Sequence, residues 1–313
     1  MKKDMSSLVG KLRSFIWRLV FTPYYRTKFH FNQDRSQLHL LNSIDTILYI
    51  IKNQCSVSRY GDGEFQMITH LKKHGTLENF HVDTFQHYDA RLASRLLEVY
   101  ESNVTGHLVC IPYALKDSSI YKGYERTFFE REFLWRRDLF VGNGDLKLMG
   151  DACFTRFYFN RRDIKDYDLY IGYLKKIWER RNILIAEGEH SRLGIGNDLF
   201  DNATEIHRLL CPSTNAFDKY EQILSEIKKT SRDTLILLAL GHTATVLAYD
   251  LSKCGYQAID IGHVDIEYEW MRMKAKHKIP VPNKYVNEVV DGGRIDTELN
   301  DATYQAQIIG RIC

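Results

Sequence analysis

The sequence predicts an α/β domain with a largely parallel sheet. Three observations predict it. Strand-like apolar runs alternate with amphipathic helical segments from about Leu40 onward. The helical segments have the length of crossover helices, about ten to fifteen residues. No repeat, low-complexity tract or Pro/Gly/Ser linker interrupts the alternation. With 313 residues, 44% of them hydrophobic and 27% charged, the chain can bury a sizeable core.

Taken in order, SIDTILYIIKN reads as a helix opened by Ser43, and CSVSRYG as a short strand running into a glycine turn. EFQMITHLKKHG reads as a helix ended by Gly75, and TFQHYDARLASRLLEVYES as a long amphipathic helix. HLVCIP is a buried strand and YKGYERTFFEREFLWRRDLF an aromatic, charged helix. LYIGYLKKIWERR is another helix, and it feeds the strand NILIAEG. TEIHRLLCP is strand-like and FDKYEQILSEIKK helical. DTLILLALG is the clearest buried strand, ATVLAYDLSKCG a helix with a Gly C-cap, and YQAIDIG the next strand. Residues 39–313 therefore read as a single domain, less regular after about Pro280.

Residues 1–38 read as a basic arm. Lys2, Lys3, Lys11, Arg13, Arg18, Arg26 and Lys28 face only Asp4 as a nearby acid. A helix from about Ser6 to Phe21 would be amphipathic, with Trp17 on its apolar side. Such a helix can lie on anionic lipid, giving peripheral membrane contact through residues 1–30. The competing readings are a helix packed on the body and a frayed terminus. The run FIWRLVF is short and broken by Arg18, and no stretch approaches the ~20 apolar residues of a spanning helix. The expected location is the cytoplasm, with the inner face of the membrane within reach of the arm. The six cysteines form no C-x-x-C pair, which leaves zinc unsupported and favours buried free thiols. The net charge of +3 is too small to argue for nucleic acid.

In open α/β sheets, ligands bind beyond the carboxyl ends of strands. Four strand ends carry polar clusters here. In RYGDGEF, a strand delivers Arg59, and Gly61 and Gly63 allow a tight turn with room for a ligand. Asp62 and Glu64 lie two apart, so both carboxylates can aim at one point. Two hard oxygen ligands beside an Arg suit a divalent cation and a diphosphate together. Equally, Asp62 could cap the next helix. In IAEGEHSRLGIGNDLF, Glu187 and Glu189 precede Arg192, Gly194, Gly196, Asn197 and Asp198. Backbone N–H groups there could cradle a phosphate or ribose, or Asn197 or Asp198 could cap a helix. In LALGHTATVLAYDL, Gly241, His242, Thr243 and Thr245 open a helix, a setting for an anion or for plain capping by Thr243. In IDIGHVDIEYEW, Asp260, His263, Asp265, Glu267 and Glu269 crowd a strand end. They could supply an acceptor-side base, or Asp265 could be an N-cap followed by first-turn acids.

The glycine spacing fails the dinucleotide fingerprint, and no Walker loop or G-x-S-x-G elbow is present. These absences count against a phosphotransferase or an oxidoreductase. A non-catalytic, membrane-associated partner of an enzyme complex is the remaining rival. It is the weaker reading, because an inert relative would be expected to lose its strand-end polar groups.

Taken together, RYGDGEF, IWERRNILIAEGEHSRLGIGNDLF, LLCPSTNAF and LALGHTATVLAYDLSKCGYQAIDIGHVDIEYEW resemble the bacterial GT-D-fold glycosyltransferases. The resemblance runs from about residue 40 to about residue 275. It implies a Rossmann-like α/β fold, helices on both faces of the sheet, a UDP-sugar donor and a divalent metal, Mn²⁺ or Mg²⁺. It also implies an Asp-x-Glu motif needed for activity, which maps onto Asp62 and Glu64. Such enzymes build glycans on surface adhesins and polysaccharides, so the acceptor would be a glycoprotein, a polysaccharide or a lipid-linked oligosaccharide. His242 departs from the family pattern, where a Pro or other small residue would be expected. On this reading Arg59 and Arg192 assist the diphosphate, and Asn197 and Asp198 hold the nucleoside or sugar. Gly241 to Thr245 make a second anion contact. Glu189, Asp265 and Glu267 are the candidate bases.

Overall fold

The computed structural model describes residues 17–75, 85–141, 147–289, 292, 295 and 301–312. Among the described residues eight strands form one sheet: β1 Ser56–Arg59, β2 His107–Ile111, β3 Gly150–Asp151, β4 Asn182–Gly188, β5 Glu205–Cys211, β6 Leu235–Ala239, β7 Ala258–Asp260 and β8 Ile308–Arg311. Their order across the sheet is β3-β2-β1-β7-β6-β4-β5-β8, and every neighbouring pair is parallel. The predicted parallel α/β architecture is present.

Alternation along the strands divides the core. Ile183 and Ile185 of β4 face one side with Ile47 and Ile50 of the helix Ser43–Asn53, Leu174 of Tyr167–Lys175, and Tyr268 of Val264–Arg272. Leu184 and Ala186 face the other side with Leu247 of the helix His242–Lys253 and Ile223 of Tyr220–Ile227. On that same side Phe65, Met67 and Ile68 of Asp62–His74 pack with Leu92 and Leu96 of Ala90–Glu101. Both faces of the sheet are thus covered, as buried parallel strands require.

This arrangement places the ligand crevice. β1 and β7 are adjacent, but the helix after β1 runs over one face and the helix after β7 over the other. Their loops diverge at the carboxyl ends and leave a gap between them.

The structure corrects several boundaries. The helix at 43 is capped by Asn42, whose side chain accepts from the Asp45 N–H, while Ser43 bonds to Asp151. The segment starting at Thr84 becomes helical only at Ala90, because Asp89 caps it through the N–H groups of Arg91 and Leu92. The aromatic helix stops at Trp135 and resumes at Arg137. The tail after Pro280 is more regular than expected: Ala302–Gln307 is a helix leading into the edge strand β8.

Most of the expected helix Ser6–Phe21 lies outside the described residues. A helix Thr22–Phe31 follows it and packs on Gly123–Trp135, with Phe29 buried against Phe133 at 5.5 Å. Cys55, Cys110, Cys153 and Cys211 are buried free thiols, and Cys254 is half-buried.

Candidate functional site

A cleft of about 640 Å³ opens where β1 and β7 diverge. From the sequence-level candidates it gathers Arg59, Gly61, Asp62, Gly63, Glu64, Gly241, His242, Asp260, His263, Asp265 and Glu267. Three helices that follow strand ends begin at its rim: Asp62–His74, His242–Lys253 and Val264–Arg272. Each turns its first-turn backbone and the positive end of its dipole toward the cleft, which favours an anion.

At the end of β1, Asp62 is the first residue of its helix and is exposed. The cap position is Gly61, so Asp62 is not the cap. Glu64 reaches back instead, and its Oε2 accepts from the Gly61 N–H at 2.7 Å. Its Oε1 stands 3.8 Å from His242 Nε2. Among the described residues Asp62 accepts no hydrogen bond and faces the charge of Arg136, so the pair offers one carboxylate free of hydrogen bonds and one half-committed one.

Arg59 is held rigidly. Its Nη1 donates to Thr155 Oγ1 at 2.6 Å and to the Ala152 carbonyl at 3.1 Å, and its Nη2 donates to Asp260 Oδ1 at 2.9 Å. Burial pushes the Asp260 carboxyl up, with Arg59 opposing. Gly262 lies directly against the guanidinium with φ +45°, and a Cβ there would run into Arg59 Nη2. The end of β6 is fitted in the same way. Gly241, at φ +54°, caps the next helix where a Cβ would collide with the Phe85 ring, so Thr243 is not the cap.

Several predicted residues have structural employment away from the cleft. Glu187 is buried within β4, accepting from the Leu193 N–H and pairing with Arg208 Nη1 at 2.6 Å. Glu189 is exposed and faces Arg311. Arg192 donates to the Asn283 carbonyl, and Gly196 offers its carbonyl to Arg272. Asn197 donates to Asp265 and Glu269, and its Oδ1 accepts from the Leu199 N–H. Asp198 accepts from Lys175 and Tyr268, which hold its carboxyl down at about 2. No helix follows Asn197 or Asp198, so neither is an N-cap. The loop 189–200 is thus a brace against the helix Val264–Arg272. Thr243 is fully buried, and Thr245 Oγ1 donates to the Arg59 carbonyl, tying that helix to β1.

Two acids near the end of β7 have different fates. Asp265 Oδ1 accepts from Gly194 N–H and Asn197, and Oδ2 pairs with buried Lys284 at 2.6 Å. It is saturated, and it does not cap the helix. Glu267 Oε2 accepts from the Tyr158 N–H at 2.9 Å. Burial pushes the Glu267 carboxyl up, opposed by Arg156 and by that N–H.

The cleft also holds residues that the strand-end argument does not find. They are Arg156, Lys278 and Glu288: Arg156 pairs with Glu288 at 2.6 Å, and Lys278 and the strand-end His263 contact the same carboxylate. Burial would raise Glu288, but this cationic setting, chiefly Arg156, holds it far below the usual carboxylate range. On the opposite wall stand Tyr121, Tyr124, Glu125, Phe128 and Phe129. Arg156 follows a strand of only two residues, and Lys278 and Glu288 lie in irregular chain, so no local pattern marks them.

With this geometry in view, comparison with known proteins is specific. The profile of the glycosyltransferase GT-D fold family matches residues 57–289. "Glycosyltransferase GlyD" of Streptococcus pneumoniae serotype 4 (strain ATCC BAA-334 / TIGR4) is 36% identical over 269 residues, 86% of this chain and 32% of that protein. "Probable glycosyl transferase Gly" of Streptococcus gordonii is 34% identical over 286 residues, 89% of this chain and 39% of that protein. The chain therefore spans about a third of the length of the curated relatives it matches. Among solved structures, a domain of unknown function 1792 described as having a distinct glycosyltransferase fold superposes with a TM-score of 0.79 at 36% identity, covering 89% of this chain and 97% of that one. A structure described as a new glycosyltransferase from Streptococcus sanguinis gives 0.78 at 32% identity, covering 88% of this chain and all of that one.

Proposed function

The chain belongs to the glycosyltransferase GT-D fold family, and from that premise we propose that its cleft transfers a hexose from a UDP-sugar to a glycan acceptor. The observation that carries the proposal is the meeting of three helix N-termini at one crevice, with Asp62 and Glu64 in the first turn of one of them. A diphosphate suits that field. Arg59, Arg156 and Lys278 line the same cleft and add cationic charge.

A divalent cation fits this donor set in one way. Among the described residues no group of three or more acids, His or Cys gathers into a metal cage. Mg²⁺ and Mn²⁺ at diphosphates need no such cage, taking one or two carboxylates and filling the remaining positions with phosphate oxygens and water. Asp62 and Oε1 of Glu64 would hold the ion. When bound it would neutralise charge on the departing diphosphate.

For an inverting transfer, the acceptor oxygen bonds to the anomeric carbon while the bond from that carbon to the phosphate oxygen breaks. The electron pair leaves with UDP, and the acceptor proton needs a base. Of the three acids proposed for that role, Glu267 fits best: it lines the cleft, keeps Oε1 outside its bond to Tyr158, and is raised by burial. Glu189 is off the cleft and Asp265 is saturated.

Thermal shifts with UDP, ATP and NAD, on wild type and Glu267→Gln, test this reading. UDP with Mn²⁺ should stabilise both proteins equally and the other nucleotides neither, while transfer falls about 10²-fold or more in the variant alone. A preference for ATP or NAD would point to another class of nucleotide-dependent enzyme. Unchanged transfer in Glu267→Gln would move the base to Glu125.

A further inference from the structure

We infer that an aromatic ridge running from the helix Thr22–Phe31 to the cleft mouth docks this protein on an anionic lipid bilayer. The helix Thr22–Phe31 uses one side, through Phe29 and Arg26, to pack on Phe133 and Glu130. Its remaining surface is not that of a solvated helix. Phe21, Tyr24, Lys28 and Phe31 recur at i, i+3, i+7 and i+10, which puts them on one face, and all are exposed. Tyr24 is 52% exposed and Phe31 76% exposed, and Leu19 and Val20 continue the apolar surface.

The neighbouring helix Gly123–Trp135 extends the ridge. Tyr124, Phe128, Arg131 and Trp135 recur at i, i+4, i+7 and i+11, again one face. Trp135 is 62% and Tyr124 67% exposed. The rings form a chain of contacts: Tyr24 to Tyr25 at 5.3 Å, Tyr25 to Trp135 at 6.5 Å, and Phe128 to Tyr124 at 6.2 Å. The Arg131 guanidinium bridges the gap, 4.6 Å over Trp135 and 5.3 Å over Phe128. Exposed aromatic rings interleaved with Lys and Arg are the side chains that settle at a headgroup boundary.

Charge selects the occupant. Residues 1–30 carry seven Lys and Arg against Asp4, yet the whole chain is only +3, so the other residues are net negative. Five of those seven charges lie in the chain just before the ridge and Lys28 lies on it, which complements an anionic leaflet. Among the described residues no helix is long and apolar enough to cross a membrane, so the contact is peripheral.

Tyr124 and Phe128 belong both to the ridge and to the cleft wall. Docking therefore brings the cleft mouth to the lipid surface. An acceptor arriving there would be an amphiphilic saccharide held by its lipid part, a clause that rests on the transfer reading, whereas the docking itself does not.

Flotation of the full chain with vesicles tests the docking. Wild type should float with phosphatidylcholine vesicles containing about one-third phosphatidylglycerol, and several-fold less with phosphatidylcholine alone or in high salt. Tyr24→Glu with Trp135→Glu should cut flotation about tenfold. Phe31→Glu alone should cut it in part. All three side chains are more than half exposed, so the variants should keep the wild-type melting curve and UDP binding. Wild type remaining at the bottom of the gradient would overturn the inference. So would a double variant that floats like wild type, or a wild-type dimer abolished by the same substitutions without flotation. Since flotation needs no donor, its failure is distinct from a failure to bind UDP.

Discussion

Asp62→Ala is expected to lower kcat for transfer about a hundredfold or more while leaving the fold intact. Asp62 is exposed at the first turn of its helix and accepts no hydrogen bond among the described residues. Its removal should change stability by no more than about 1 kcal/mol, the size of a favourable charge at a helix N-terminus. The loss in rate has another origin. In the proposed transfer, charge would develop on the leaving diphosphate, and stabilising such charge amounts to several kcal/mol. The interaction grows toward the transition state, so kcat should fall more than KM rises. Glu64→Gln is a milder change, because the amide oxygen can still accept from the Gly61 N–H. Steady-state kinetics alongside thermal melts separate the two effects. An Asp62→Ala enzyme with unchanged kcat would remove this residue from the mechanism.

Arg208→Ala should produce the largest loss of stability, about 3–5 kcal/mol. Arg208 and Glu187 are both fully buried and meet at 2.6 Å, and Arg208 also lies over the Tyr304 ring and donates to Gln307. Removing the guanidinium leaves a carboxylate in the core with, among the described residues, the Leu193 N–H as its remaining donor. Burial already raises the Glu187 carboxyl, with Arg208 opposing, and losing Arg208 raises it further. A carboxyl raised in the folded state favours folding when protonated. The deficit should therefore shrink as pH falls toward the unfolded value of about 4.3 and grow as pH rises through the folded value. Adding Glu187→Leu to Arg208→Leu should recover much of the loss, since an apolar pair leaves no charge stranded. Denaturant melts across pH measure this directly. A cost under about 1 kcal/mol, flat with pH, would contradict it.

The same pair shows where the sequence is legible and where it is not. β4, β6 and β7 can be read because each is an apolar run followed by glycine or acid, and the helices between them carry the 3.6-residue period. β3 has two residues, and β8 is a four-residue edge strand reached straight from a six-residue helix, so neither leaves a periodic trace. Within the site, Gly61 to Glu64, Gly241 and His242 are legible because a strand end fixes where they must lie. Glu187, Asn197 and Asp198 look equally functional in sequence. Their roles depend on Arg208, Asp265 and Tyr268, partners 21 to 70 residues away. Pairings at that range are set by topology and carry no local signature. Arg156, Lys278 and Glu288 escape for the same reason, since only the folded chain brings them together.

The most direct measurement is turnover of a panel of UDP-hexoses, with mass detection of released UDP and sugar, in Mn²⁺ and in EDTA. A metal-assisted UDP-sugar site predicts consumption of one UDP-hexose in Mn²⁺ and a fall to background with chelator. Full turnover in EDTA would contradict the role given to Asp62 and Glu64, and no turnover of any UDP-hexose in Mn²⁺ would contradict the donor assignment itself.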